Sequence, residues 1–186
     1  MGGRAGRARE VGRRGYTLIE LVVVVGILIV MTYAGLPFFS AMMQGSRLDA
    51  AARQIAGDVR EARSKATQTG WQYQIVGYNV GGSGTYKNQY RLVGKTPAET
   101  IWPAPDTQPG PFQSATKMAG PWINFNQLYP GVSLNQSNSN PSFYVSFNSQ
   151  GVAFEWNSSF APLNIVHDSG RSRQVSVTSA GSVKIQ

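Results

Sequence analysis

The order of apolar and polar positions divides the chain into three stretches. Leu21 to Phe39 carries no charged residue, and the single charge in the apolar run that starts at Tyr16 is Glu20, near its beginning. As a helix, Tyr16 to Phe39 would be about 36 Å long at ~1.5 Å per residue, enough to cross a ~30 Å hydrocarbon core. Beyond it Leu48, Ala51, Ala52, Ile55, Ala56, Val59, Ala62 and Ala66 recur at spacings of three and four, with Arg47, Asp49, Arg53, Arg60 and Glu61 mostly between them. That period predicts an amphipathic helix whose apolar face receives a folded domain. It ends about Thr69, because Gly70 is a natural helix stop. Arg60, Arg63 and Lys65 read as a solvated face. Pro37, with Gly35 close by, predicts a kink or a place where the helix loosens, since a proline inside a helix costs ~3 kcal/mol.

From Trp71 the period changes to two. Trp71, Tyr73 and Ile75 alternate with Gln72 and Gln74, and Tyr90-Arg91-Leu92-Val93 predicts a second short strand, with Gly81-Gly82-Ser83-Gly84 as the turn between. Residues 96–122 hold Pro97, Pro103, Pro105, Pro109, Pro111 and Pro121, too many for a regular element, and predict a variable surface loop tacked down by Trp102 and Trp122. Phe143, Val145 and Phe147 then point to one face, and Asn148-Ser149-Gln150-Gly151 turns the chain. Val152, Phe154 and Trp156 are expected to return to the same core. Leu163 and Ile165, a turn at His167-Asp168-Ser169-Gly170, Val175 and Val177, and finally Val183 and Ile185 after Ser179-Ala180-Gly181 predict three more strands.

Charge matters here by position. The net charge is +8, but the first fifteen residues hold five Arg and one Glu, so +4 of it precedes the apolar run. Lys and Arg are retained on the cytoplasmic side of a span, which places the β-rich part outside the cytoplasm. The chain has no cysteine, so a disulfide-stapled domain is excluded. A secretory signal removed whole, cut near Thr32-Tyr33-Ala34, is the competing reading. The run is longer than a usual signal core, however, and opens on a glutamate. A carboxylate at that depth costs roughly 2.5–3.5 kcal/mol or more, so Glu20 requires a partner. Cleavage between Gly15 and Tyr16 supplies one, because the new α-amine of one copy can meet the carboxylate of a neighbour.

Catalytic chemistry is nearly absent from the residue inventory. With one histidine and no cysteine, three-ligand zinc sites and Cys–His nucleophiles are disfavoured or excluded, and no metal or cofactor is expected. His167, Asp168 and Ser169 share one turn, which is how turns are ordinarily composed. Gly94-Lys95-Thr96 matches the end of a phosphate-binding loop, but Gln89 stands where its first glycine belongs and Pro97 where its helix should begin. The chain is read as a non-enzyme. A membrane-anchored periplasmic hydrolase is the remote alternative.

Arg13-Arg14-Gly15-Tyr16-Thr17-Leu18-Ile19-Glu20 and the apolar run after it closely resemble the processing signature of type IV prepilins and type II secretion pseudopilins. The usual phenylalanine is here Tyr16. The resemblance implies that a prepilin peptidase cuts after Gly15 and N-methylates Tyr16, and that Glu20 and Pro37 serve assembly with other pilins or pseudopilins. It also implies an α+β pilin fold, a long N-terminal helix packed on antiparallel sheets. The expected organisation is a cleaved leader over 1–15, a membrane half-helix over 16–39, an amphipathic half-helix over 40–69 and a β-rich periplasmic domain over 70–186. Ala62-Arg63-Ser64-Lys65-Ala66 and the strand series ending in Gly-Arg-Ser-Arg-Gln-Val-Ser-Val and Gly-Ser-Val-Lys-Ile resemble one subgroup, the pseudopilin H and FimT-like minor pilins. The expectation is an inner-membrane, single-pass minor pseudopilin of a type II secretion pseudopilus, which exports folded proteins. The alternative is a FimT-like minor pilin that binds DNA.

Gly170-Arg171-Ser172-Arg173 resembles the Gly-Arg-x-Arg motif of the DNA-binding members, with Lys184 on the next strand as an extension. Two guanidiniums beside a turn suit phosphate. Parity opposes this, since residues 171, 173, 175 and 177 share one strand face and place the arginines in line with Val175 and Val177. The other reading pairs them with Asp168 or Glu155 to secure the hairpin.

Overall fold

A computed structural model describes residues 15–79, 85–104, 110–114, 116–136, 142–156 and 162–186. The leader before Gly15, the Gly81–Gly84 turn and part of the proline-rich segment lie outside them. The chain divides into two compact units, Met1–Ala41 and Met42–Gln186.

Helix α1 runs Leu18–Thr69, and its assignment passes through position 37. Of the described residues of the first unit, those up to Ser40 whose side chains are described are all exposed, from Val25 at 48% to Tyr16 at 85% among the large apolar ones. Its 18-residue window of highest mean hydropathy reaches 2.4, with no part of that window buried.

In the second unit the same helix behaves as its period predicts. All eight apolar positions from Leu48 to Ala66 are buried, at 2% exposure or less. Five of the eight are alanine, so the buried face of the helix is lined mainly by small side chains. Gly70 ends it at φ 73°, a left-handed conformation, with its N–H on the Ala66 carbonyl at 3.1 Å.

Two antiparallel sheets meet this face. The first contains β1 (Gln72–Tyr78), β2 (Gln89–Lys95), β3 (Gly110–Ser114), β4 (Lys117–Ala119), β5 (Ile123–Asn124), β7 (Ser142–Phe147) and β8 (Ala153–Trp156). Its order is β3-β4-β2-β1-β7-β8, with β5 also on β2. The second contains β6 (Val132–Gln136), β9 (Leu163–His167), β10 (Ser172–Val177) and β11 (Val183–Ile185), ordered β11-β10-β9-β6. A single helical turn, α2 (Phe125–Leu128), precedes β6 and buries Phe125. The α+β arrangement expected from the sequence is therefore present: a long N-terminal helix whose second part packs on antiparallel sheets.

Three expectations need correction. Val152 and Phe154 are 41% and 43% exposed, and Ala153 takes the core position opposite Phe147. A register irregularity between Ser146 and Phe147 inverts the alternation there, while Trp156 keeps the register position opposite Val145. The proline-rich stretch does hold regular structure, the β3–β4 hairpin. Its Pro111 lies in β3 at the sheet edge, the position in a sheet where proline is tolerated. Arg63 is not part of a solvated face: its Nε donates to the Gly151 carbonyl at 3.0 Å and its Nη1 to the Gly181 carbonyl at 3.3 Å. One guanidinium thus ties the β7–β8 turn of one sheet and the β10–β11 turn of the other to the helix. Lys65 instead pairs with Glu61 at 2.7 Å, one turn away, and Arg60 is exposed.

Candidate functional site

The helix begins only at Leu18, so the peptide bond between Gly15 and Tyr16 lies in non-helical backbone. Gly15 is exposed, and a Cβ built on it meets no atom within 4 Å. Thr17 caps the helix: its Oγ1 accepts from the Glu20 N–H at 3.3 Å, and its carbonyl accepts from the N–H groups of Glu20 and Leu21 at 3.1 and 3.2 Å. Glu20 occupies the first helical turn, where a carboxylate is favoured by the helix dipole. Both it and Tyr16 are exposed.

The second candidate site is the arginine pair. Arg171 precedes β10 and lies beside the helix, with Nη1 3.4 Å from where a Cβ on Gly45 would stand. Arg173 donates from Nε to Asp49 Oδ1 at 2.8 Å, an ion pair with both side chains a little over two-fifths exposed. The partner expected from sequence was Asp168 or Glu155; it is Asp49, on the helix. The spacing explains why. Two residues along a strand advance ~6.6 Å and four along a helix ~6 Å, so Arg171 and Arg173 match Gly45 and Asp49. Parity is obeyed, since Arg173 shares the inward face with buried Val175 and Val177.

Lys184 does not extend this pair. It is opposite Ser176 in the β10–β11 ladder, and directly paired residues project to the same side. Ser176 alternates with Val175 and Val177, so Lys184 belongs to the sheet's outer face and Arg173 to its inner one.

In the 167–170 turn, His167 Nδ1 is 3.0 Å from both the hydroxyl and the backbone N–H of Ser169, and the histidine is 7% exposed. The Asp168 N–H bonds the Gly131 carbonyl at 2.9 Å. These contacts close a turn. Lys95 is a strand residue, its ammonium 3.2 Å from the Thr100 carbonyl and 4.7 Å from the Trp102 ring centroid. Among the described residues no group of three or more His, Asp or Glu is placed to hold a metal ion.

Two features carried no sequence signal. Arg91 is fully buried on the outer face of the first sheet, its guanidinium 4.7 Å over the Trp122 ring and its Nη2 bonded to the Ala104 carbonyl. Trp102 and Trp122 thus fasten the proline-rich segment through cations on β2. On the helix side, the Tyr90 hydroxyl donates to Asp58, whose carboxylate also accepts from Gln54 Nε2 at 3.2 Å. Burial first, and then the Asp58 carboxylate, push the Tyr90 hydroxyl far above its usual range, so it stays protonated as a donor.

No family model matches the chain, and no curated protein matches it. Among solved structures, a crystal form of the type IV minor pilin FimU from Pseudomonas aeruginosa (strain PAO1) resembles it at 14% identity and TM-score 0.48, covering 78% of this chain and 92% of that one. A second crystal form of the same protein gives 14% identity and TM-score 0.45, over 75% and 92%.

Proposed function

We propose that the chain is a minor subunit of a pilin-like filament, held in the inner membrane by α1, cut by a prepilin peptidase between Gly15 and Tyr16, N-methylated on Tyr16, and assembled with other pilins or pseudopilins on the periplasmic side. The observation that carries this reading is the conjunction at the N-terminus. Gly15-Tyr16-Thr17-Leu18-Ile19-Glu20 sits with its Gly–Tyr bond in exposed non-helical backbone, directly ahead of an apolar helical stretch whose described side chains are exposed up to Ser40. A bilayer covers such a surface before assembly, and neighbouring helices cover it afterwards. Glu20 then meets the new amine of an adjacent copy, which resolves the cost of a carboxylate at that depth.

Between the two machines that use such subunits, the reading kept is the type II secretion pseudopilus. Arg173 is engaged by Asp49, Arg171 lies over Gly45, and Lys184 is on the opposite sheet face. These positions do not assemble into one phosphate-facing patch, which disfavours a DNA-binding role in transformation. The test is intact-mass measurement of the protein from cells that contain a prepilin peptidase. The expected species starts at Tyr16 and carries one added methyl group, and Gly15→Leu blocks the cut. Assembled filament subunits that still retain residues 1–15 would overturn the proposal.

A further inference from the structure

A groove of about 490 Å³ is lined jointly by the helix and the first sheet. Ile75, Leu92, Met118 and Ile123 line it, and Leu92, Met118 and Ile123 are only partly buried there. One wall is a single helical face bearing Asp58, Glu61 and Lys65. These three span about 10 Å of helix, the length of three residues of extended chain. Glu61 and Lys65 neutralise each other at 2.7 Å. Asp58 is different: it is half-buried, its hydrogen bonds come from the neutral donors Tyr90 and Gln54, and among the described residues no cation lies within 4.0 Å of it. The groove therefore has an apolar floor and one carboxylate without a counter-charge, at one end of a slot sized for a short extended segment.

We propose that this groove binds an extended stretch of a partner subunit, about three residues long, that presents an apolar side chain to the floor and a Lys or Arg to Asp58. The apolar side chain removes Leu92, Met118 and Ile123 from water, and the basic one makes a charge-assisted hydrogen bond with a carboxylate already held in place by Tyr90. The inference takes from the filament reading only that the partner is another subunit. Its test does not depend on cleavage at Gly15.

The experiment uses the full chain in lipid nanodiscs with carbon-13-labelled methionine methyls, the Met118 signal being assigned through Met118→Leu. The probes are the blocked tripeptides Arg-Leu-Ala and Glu-Leu-Ala, titrated to about 10 mM, a range suited to contacts this small. The basic peptide should shift the Met118 methyl saturably, and the acidic one should bind about tenfold more weakly. Asp58→Asn keeps an acceptor for Tyr90 and should remove that preference while leaving the far-ultraviolet circular dichroism unchanged. A Met118 signal that stays still with both peptides overturns the proposal, as does equal binding of the two by the wild type. Retention of the preference by a folded Asp58→Asn variant overturns the role of the carboxylate. Decyltrimethylammonium serves as the competing cation. Saturation by it without saturation by the basic peptide would make the groove an amphiphile site and overturn the peptide assignment.

Discussion

Asn88 offers the most direct test of how the two sheets are held as one unit. It is fully buried and has φ 56°, the one positive value among described non-glycine residues. Its side chain works as a detached piece of backbone. Oδ1 accepts from the Leu134 N–H at 2.7 Å, and Nδ2 donates to the Val132 carbonyl at 2.9 Å and to Asn126 Oδ1 at 2.7 Å. Val132 and Leu134 belong to β6, the edge of the second sheet, so an amide placed just before β2 completes the edge of a different sheet. Asn88→Ala strands two buried backbone groups, each worth about 1–3 kcal/mol, and puts an alanine in the left-handed region at ~1 kcal/mol more. The expected loss is roughly 3–7 kcal/mol, a large part of the ~5–15 kcal/mol that holds an ordinary domain.

Two further substitutions separate the causes. Asn88→Gly has no penalty for the positive φ, so its deficit isolates the hydrogen bonds and should be about 1 kcal/mol smaller than that of alanine. Asn88→Asp keeps the acceptor for Leu134 but turns an oxygen toward the Val132 carbonyl and Asn126, and should be at least as harmful as alanine. The assay is urea unfolding of the full chain in nanodiscs, followed by tryptophan fluorescence. All four tryptophans, Trp71, Trp102, Trp122 and Trp156, lie in the second unit. A glycine variant within ~0.5 kcal/mol of wild type would refute the reasoning, because it would leave the bridging amide without net effect.

Three other outcomes are expected. Glu20→Ala should be inserted and cut normally but assemble poorly, since an unpartnered buried amine costs ~3–5 kcal/mol; co-purification with other filament subunits at wild-type yield would count against this. Arg63→Met should destabilise the second unit by roughly 2–4 kcal/mol in the same urea assay, through two lost charge-assisted bonds to carbonyls, and Arg63→Lys should not restore it because one ammonium cannot reproduce the planar fork. Arg171→Ala/Arg173→Ala should change duplex-DNA affinity little and stability by less than ~1 kcal/mol; a steep fall in salt-dependent binding by the folded double variant would restore the transformation reading.

Helical and strand periods reached far into this fold because the groups they describe act locally. The eight apolar positions between Leu48 and Ala66 are buried together, since a 3.6-residue repeat places them on one face whatever covers it. Gly70 ends the helix for a reason internal to glycine. The failures are equally physical. One extra residue opposite Ser146 and Phe147 exchanges Ala153 for Val152 and Phe154 on the core face, and an irregularity of that kind has no signature in an alternating run of apolar residues. Arg91 and Lys95 lie on β2 among apolar neighbours, and both are buried. Their cover comes from Trp122 and Trp102, which a strand pattern cannot bring to them.

The same distinction separates what could be foreseen at the candidate sites. The N-terminal signature is contiguous, so its residues, their order and the helix behind them were legible together. For the arginines, parity correctly put Arg173 on the inward face, but its partner lies 124 residues earlier. That partner follows from docking a strand across a helix at matching rise, not from the turn beside it. Asp58 is the sharper case. In the sequence it is one more polar residue between apolar helix positions; in the fold it stands at the mouth of an apolar groove, held by Tyr90 from the sheet and lacking a counter-charge among the described residues. A lone carboxylate becomes informative only when its surroundings make the missing cation costly. It is the tertiary arrangement of Leu92, Met118 and Ile123 around it that does so.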